Sequence, residues 1–101
     1  MKLQMHSIHF DADQKLLDYI QKKAEKLDTF YDRITGGEVF LRINKDTNLH
    51  ENKVIEIKLS VPGHTLFVKE NSSSFEAATD EALEALKAQI KKFKDKQLAR
   101  A

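Results

Sequence analysis

The feature that most constrains the fold is a change in hydrophobic period along the chain. Apolar residues recur at helical spacing from Leu16 to Tyr31, alternate with polar residues through the middle of the chain, and return to helical spacing from Phe75. A short alternating segment, Lys2 to His9, precedes the first helical pattern. The predicted order of elements is therefore β-α-β-β-β-α, and each amphipathic helix needs a surface to cover its apolar face.

Both helices carry recognisable start signals. Asp11 with Gln14, and Ser73 with Glu76, have the three-residue spacing of a capping box, so helices are expected to begin there. Gly36-Gly37 is expected to end the connection after the first helix. The first helix should bury Leu16, Leu17, Ile20, Ala24, Leu27 and Tyr31. The second should bury Phe75, Thr79, Ala82, Leu86, Ile90 and Phe93, flanked by Ala78 and Leu83.

The middle of the chain predicts an antiparallel meander. Apolar residues occupy alternate positions over residues 39–43 and 55–61, so one face of each strand is suited to a core. The polar run Asn44 to Asn52 is expected to be a loop. Pro62-Gly63 indicates a turn, after which a further strand is expected over Thr65 to Glu70.

These elements predict an α+β domain in which a four-stranded, mainly antiparallel sheet carries two helices packed on one face. The other face should meet solvent, because Glu56, Lys58 and Ser60 alternate with the apolar set. With 101 residues, 41% of them hydrophobic, the chain has room for one core. A single domain over residues 1–101 is expected.

Several function classes are disfavoured. No stretch approaches the roughly 20 apolar residues of a membrane span, and residues 1–10 lack a signal-peptide core, so a cytoplasmic protein without a membrane partner is expected. Cysteine is absent, which removes disulfides and thiolate chemistry. No Gly-rich phosphate loop or nucleophile elbow is present. We therefore expect no enzyme activity, no cofactor and no small-molecule substrate.

A metal site is not expected either. The four histidines, His6, His9, His50 and His64, fall on a predicted strand, its end, a loop and a turn, without the spacing typical of metal ligands.

Charge is distributed unevenly along the chain. The net charge of +1 combines +5 over residues 87–101 with −4 over residues 1–86, where 11 basic residues face 15 acidic ones. A basic end favours a polyanionic partner such as nucleic acid. A lysine-rich helix end that complements its own macrodipole explains the charge alone about equally well.

Positions on the helices sharpen this prediction. At 100° per residue, Lys15, Lys22 and Lys26 lie within about 40° of one another, opposite the apolar centre of the first helix. Such a stripe can neutralise phosphates, and an aromatic ring within it can stack on a base. A solvated face, partly paired with Asp18 and Glu25, is the alternative. The candidate RNA-binding residues of both helices are Lys15, Tyr19, Lys22, Lys23, Lys26, Lys87, Lys91, Lys92 and Lys94.

Three segments carry a family resemblance. They are SIHFDADQKLLDYIQKKAEKLDTFYD (residues 7–32), IEIKLSVPGHTLFVKE (55–70) and FEAATDEALEALKAQIKKFKDK (75–96). In this order and spacing, they resemble the first helix, the Pro-Gly hairpin and the last helix of the ribosome hibernation-promoting factor family. This family is also known as the ribosome-associated inhibitor or sigma-54 modulation protein family.

The resemblance implies a fold similar in shape to double-stranded RNA-binding domains. It implies binding to rRNA in the cleft of the small ribosomal subunit, overlapping the mRNA and tRNA positions, so that ribosomes stay inactive and protected under stress or in stationary phase. Lys23, Lys26 and Lys92 match basic positions of the family. Ala85 and Ala88 replace two residues that are usually basic, and Lys87 and Lys91 supply charge from neighbouring positions.

The resemblance also implies a short form without the C-terminal domain that pairs ribosomes in long members, and a monomer when free. Silencing single ribosomes and helping another protein to pair them both remain open. Two other functions are considered: a free-standing binder of double-stranded RNA, and a protein-interaction modulator of a sigma factor. The latter would not need the lysines.

Overall fold

The computed structural model describes residues 1–45 and 51–99, with the side chains described as far as residue 96. The predicted order β-α-β-β-β-α is confirmed. The elements are β1 (Leu3–Ile8), α1 (Gln14–Phe30), β2 (Gly36–Ile43), β3 (Lys53–Val61), β4 (His64–Ser72) and α2 (Phe75–Ala99).

The four strands form one mixed sheet in the order β1-β2-β3-β4. β1 runs parallel to β2 because α1 connects them, whereas β2, β3 and β4 are antiparallel neighbours, and a tight turn joins β3 to β4. The Asn44 amide donates to the Asn52 carbonyl at 2.8 Å, which closes the base of the β2–β3 connection. Within the loop predicted over residues 44–52, positions 46–50 lie outside the described residues.

The core lies between one face of the sheet and both helices. Its centre is the alternating set of β3, in which Ile55, Ile57 and Leu59 have no exposed surface. The predicted inward faces of both helices are confirmed. From the helices, the most deeply buried members of the core are Ile20, Ala24, Ala78, Thr79, Ala82, Leu86 and Ile90. The Thr79 hydroxyl donates to the Phe75 carbonyl at 2.7 Å, which satisfies this buried polar group.

Both predicted helix caps are wrong by one or two residues. Asp13, not Asp11, accepts the Leu16 amide at 2.9 Å, and His9, between β1 and α1, has a φ of 61°. Ser74, not Ser73, accepts the Ala77 amide at 3.1 Å. The second shift arises because β4 stays paired as far as Ser72, opposite Lys53.

Gly36 and Gly37 lie inside β2 rather than in the connection before it. A Cβ atom on Gly37 would lie 2.5 Å from the Lys58 carbonyl oxygen and 2.8 Å from Leu59 Cδ2. The absence of a side chain therefore permits the close approach of β2 and β3 at this point.

We expect Gly37→Ala to lower the free energy of unfolding by about 1–3 kcal/mol, because the added methyl group overpacks the β2–β3 contact. Gly36→Ala is the matched control, since its Cβ would meet only the Lys2 carbonyl oxygen at 3.3 Å. Urea unfolding of the two variants measures the difference. Equal stability of the two variants would contradict the close-approach explanation.

Candidate nucleic-acid interface

The two helices lie side by side and point in the same direction. Near their N-terminal halves, the Tyr19 hydroxyl donates to Asp80 Oδ1 at 2.9 Å. At the end of α1, Lys94 Nζ donates to the Phe30 carbonyl at 2.9 Å. The basic half of α2 is thereby brought beside the C-terminal turn of α1.

A surface groove follows the line of contact between the helices, and we call it the helix groove. Its first part is lined by Lys23, Lys26, Leu27, Thr29, Phe30, Asp80, Leu83, Glu84 and Lys87. It continues past Phe30 along Ala88, Lys91, Lys94 and Asp95. The groove therefore has lysines from both helices. Asp80 gives its other end a negative charge, and the carboxylates of Glu84 and Asp95 also line it.

Phe30 organises the basic end of the helix groove. Lys94 Nζ lies 4.7 Å and Lys87 Nζ 5.5 Å from the centre of its ring. A ring face attracts an ammonium group, and the last carbonyls of a helix also favour a cation. Two ammonium groups are thus held near one ring, where an anion between them would relieve their mutual repulsion.

The structure brings together five of the predicted residues as groove lysines: Lys23, Lys26, Lys87, Lys91 and Lys94. Lys15 and Lys22 are exposed on α1 but do not line the groove. Lys92 follows Lys91 by about 100° around α2 and is also exposed outside the groove. If each helix bound RNA through its own flat basic surface, Lys15, Lys22 and Lys92 would belong to the site. They do not line the groove.

Tyr19 is less free to stack on a base than its sequence position suggests. Its hydroxyl is engaged by Asp80, and Lys23 Nζ lies 5.4 Å from the centre of its ring. The hydrogen bond to Asp80 raises the pKa of Tyr19 above the usual 10.0, with smaller contributions from burial and from the charges of Asp80 and Glu76. Tyr19 therefore links the two helices at the acidic end of the groove.

Phe30 was missed by sequence reasoning. It lies outside the periodic apolar set of α1, so periodicity gives no reason to select it. The available signal was an aromatic residue at the end of a helix whose exposed surface carries lysines. Its partners Lys87 and Lys94 are more than fifty residues away, so only the packing of the helices reveals its role.

The three described histidines are dispersed. His6 Nε2 lies 3.1 Å from Glu38 Oε2, His9 follows the end of β1, and His64 packs edge-on against Phe93. His50 lies outside the described residues. Within residues 1–45 and 51–99, no three His, Asp or Glu side chains are grouped to hold a metal ion. Over the same ranges, neither helix is long and apolar enough to cross a membrane.

Comparison with known proteins gives the family. Residues 3–98 match the family model described as sigma 54 modulation protein / S30EA ribosomal protein. The chain belongs to this family. Family membership confirms the resemblance drawn from the three segments above.

Relatives of this family member include three bacterial proteins. A ribosome hibernation promotion factor of Deinococcus radiodurans is 29% identical over 91 residues, which cover 90% of this chain and 48% of that protein. The chain thus spans about half the length of that relative. Ribosome hibernation promoting factors of Pseudomonas putida and Klebsiella oxytoca are 27% and 30% identical, covering 96% and 95% of this chain and 90% and 96% of theirs.

Two solved structures share the fold. A ribosomal subunit interface protein from Coxiella burnetii superposes with a TM-score of 0.83 at 23% identity, covering 94% of this chain and 99% of that one. The N-terminal domain of Thermus thermophilus Protein Y superposes with a TM-score of 0.74 at 27% identity, covering 91% and 94%.

Removing the Asp80 carboxylate should shift the titration of Tyr19. We expect the pKa of Tyr19 to fall towards its ordinary value in Asp80→Ala, because both the hydrogen bond and the nearby charge are lost. Glu76→Gln is the matched control and should cause a smaller shift, since its charge is the weakest contribution. Ultraviolet titration of tyrosinate, in a Tyr31→Phe background, measures both variants.

The hydrogen bond between Tyr19 and Asp80 should also affect the pH dependence of stability. Because the pKa of Tyr19 is raised in the folded state, the contact stabilises the fold at neutral pH and is lost as pH rises above about 10. In Tyr19→Phe, the part of the alkaline loss of stability that comes from this contact should be absent. In the titration, an equal shift of the Tyr19 pKa in Asp80→Ala and Glu76→Gln, or no shift in either variant, would contradict the assigned hydrogen bond.

Proposed function

We propose that this family member promotes ribosome hibernation by binding rRNA of the small ribosomal subunit through the helix groove. The observation that carries the proposal is the convergence of five groove lysines from two helices on one groove. Relatives over nearly the whole chain are named ribosome hibernation promoting factors, which supports the biological role. Occupying the mRNA and tRNA channel would keep the ribosome inactive.

The groove lysines are suited to the phosphate backbone rather than to base edges. Each lysine that neutralises a phosphate releases counterions, which makes binding favourable and strongly dependent on salt. Lysine is a compact charge without the planar fork that arginine uses for bidentate recognition. We therefore propose that the helix groove recognises the shape and charge of folded rRNA, not its sequence.

Phe30 contributes to this function by holding charge in place. A free lysine side chain loses rotamer entropy when it is ordered by a ligand. Lys94 is already ordered by the Phe30 carbonyl and ring, and Lys87 lies over the same ring. The basic end of the groove is therefore partly preorganised for a phosphate, which lowers the cost of binding.

We propose that residues 1–101 act as one ribosome-binding domain, working in the cytoplasm as a monomer and without a catalytic step. In this proposal the chain needs no cofactor, because its effect is to occupy a surface. Lys15, Lys22 and Lys92 are assigned a supporting role, in which they add long-range attraction to RNA without lining the groove.

The direct test replaces lysines inside and outside the groove. We expect Lys26→Gln and Lys91→Gln each to weaken binding to small ribosomal subunits by about threefold to tenfold, and to reduce the slope of log affinity against log salt by about one. Lys92→Gln is the matched control, because it removes the charge next to Lys91 but outside the groove. Fluorescence anisotropy of labelled protein across a salt series provides the readout.

Different outcomes select different functions. Comparable affinity for plain duplex RNA and for small subunits would favour the free-standing RNA binder. Unchanged subunit binding after replacing all five groove lysines would contradict the groove and favour the protein-interaction modulator. A weaker effect of Lys91→Gln than of Lys92→Gln would place the contact surface on the other side of α2.

A further inference from the structure

The sheet face away from the helices carries a second set of aromatic and basic side chains, which we call the outer sheet face. Phe67 on β4 is 45% exposed, and it is the exposed large hydrophobic side chain among the described residues. Its direct cross-strand neighbour is Lys58 on β3. Lys69 follows two residues later on the same strand and therefore on the same face.

An ordered pair of rings lies beside this position. Phe40 and His6 stack with their centres 4.8 Å apart, and Lys58 Nζ lies 5.6 Å from the centre of the Phe40 ring. Phe40, Lys58 and Phe67, with Glu56, line one shallow recess. Lys58 thus stands between a covered ring on β2 and an exposed ring on β4.

The charges of this face favour an anionic ligand. Glu56 is paired with Arg42 at 2.5 Å, and Glu38 lies 3.1 Å from the His6 ring nitrogen. Both outer-face carboxylates of the sheet therefore have partners. Within the described residues, Lys58 and Lys69 have neither a hydrogen bond nor an ion pair, so their ammonium groups are available to a ligand.

We propose that the outer sheet face is a second binding site, which takes single-stranded RNA by stacking an unpaired base on Phe67 and holding the adjoining phosphates with Lys58 and Lys69. A single base needs one exposed ring, and stacking tolerates any sequence because every base has a π-face. Unstacked bases over aromatic side chains, with basic residues beside them, are the usual mode of single-strand recognition.

A protein partner fits this surface less well. A stable protein interface buries about 800 Å² on each side around an apolar core. Here one exposed ring is surrounded by charged residues, and the neighbouring Phe40 is already covered by His6 and Lys58. The face therefore lacks a contiguous apolar patch of the size that marks such interfaces.

The proposal extends the function beyond the helix groove. The two surfaces lie on opposite sides of the sheet, so folded RNA in the groove and an unpaired strand on the sheet can be bound together. Two linked contacts raise the overall affinity without any new contact in the groove. The second site does not require that the groove bind ribosomes.

The test measures binding of a fluorescein-labelled oligouridine hexamer to the full chain by fluorescence anisotropy. We expect Phe67→Ala to weaken binding by about tenfold, within the range for loss of one stacked base. Phe67→Trp should retain binding, because it keeps an aromatic ring. Thr65→Ala is the matched control on the same strand and face, and circular dichroism checks that each variant is folded.

Two further variants separate the sites. Lys58→Gln with Lys69→Gln should weaken oligouridine binding and reduce its salt dependence, while Lys87→Gln with Lys91→Gln should weaken it less, because those two lysines lie on the other side of the sheet from Phe67. Oligouridine binding that survives Phe67→Ala, or no detectable binding by the parent, would overturn the proposal. Retained Phe67-dependent binding in a chain that fails to bind small subunits would uphold this site and reject the groove function.

Discussion

Burial of the alternating face of β3 is the interaction on which the rest of the molecule depends. Ile55, Ile57 and Leu59 have no exposed surface, and β3 pairs with β2 on one side and β4 on the other. Because only one face of the sheet is apolar enough to cover the helices, α1 and α2 must lie next to each other on it. Their adjacency, which creates the helix groove, follows from this constraint.

The charge order of α2 connects stability to function. Its first half carries Glu76 and Asp80, which suit the helix N-terminus, and its second half carries the lysines that suit the C-terminus. Since α1 points the same way, the acidic half meets Tyr19 and the basic half meets the end of α1. The distribution that stabilises one helix therefore gives the groove between two helices a basic and an acidic end.

Periodicity in the sequence was sufficient to predict the helices, the strands and their buried faces, because each depends on local spacing alone. The predicted caps lie one or two residues before the observed caps, Asp13 and Ser74. The shift to Ser74 arises from the extra pairing of β4, which depends on tertiary contacts. The same limit applies to the site. Helical angles predicted a basic stripe of Lys15, Lys22 and Lys26, but only the packed helices distinguish groove lysines from outward ones. Phe30 was not selected because its partners Lys87 and Lys94 are distant in sequence, and Phe67 was not selected because its position beside Lys58 depends on the register of β3 and β4.

In the proposed function, the lysines of the helix groove hold this chain on vacant small ribosomal subunits. The most direct measurement is co-sedimentation of the chain with small subunits, vacant or loaded with mRNA and tRNA, across a salt series. We expect binding to vacant subunits that declines steeply with salt and is excluded by mRNA and tRNA. Binding that is insensitive to salt, or equal on vacant and loaded subunits, would contradict it.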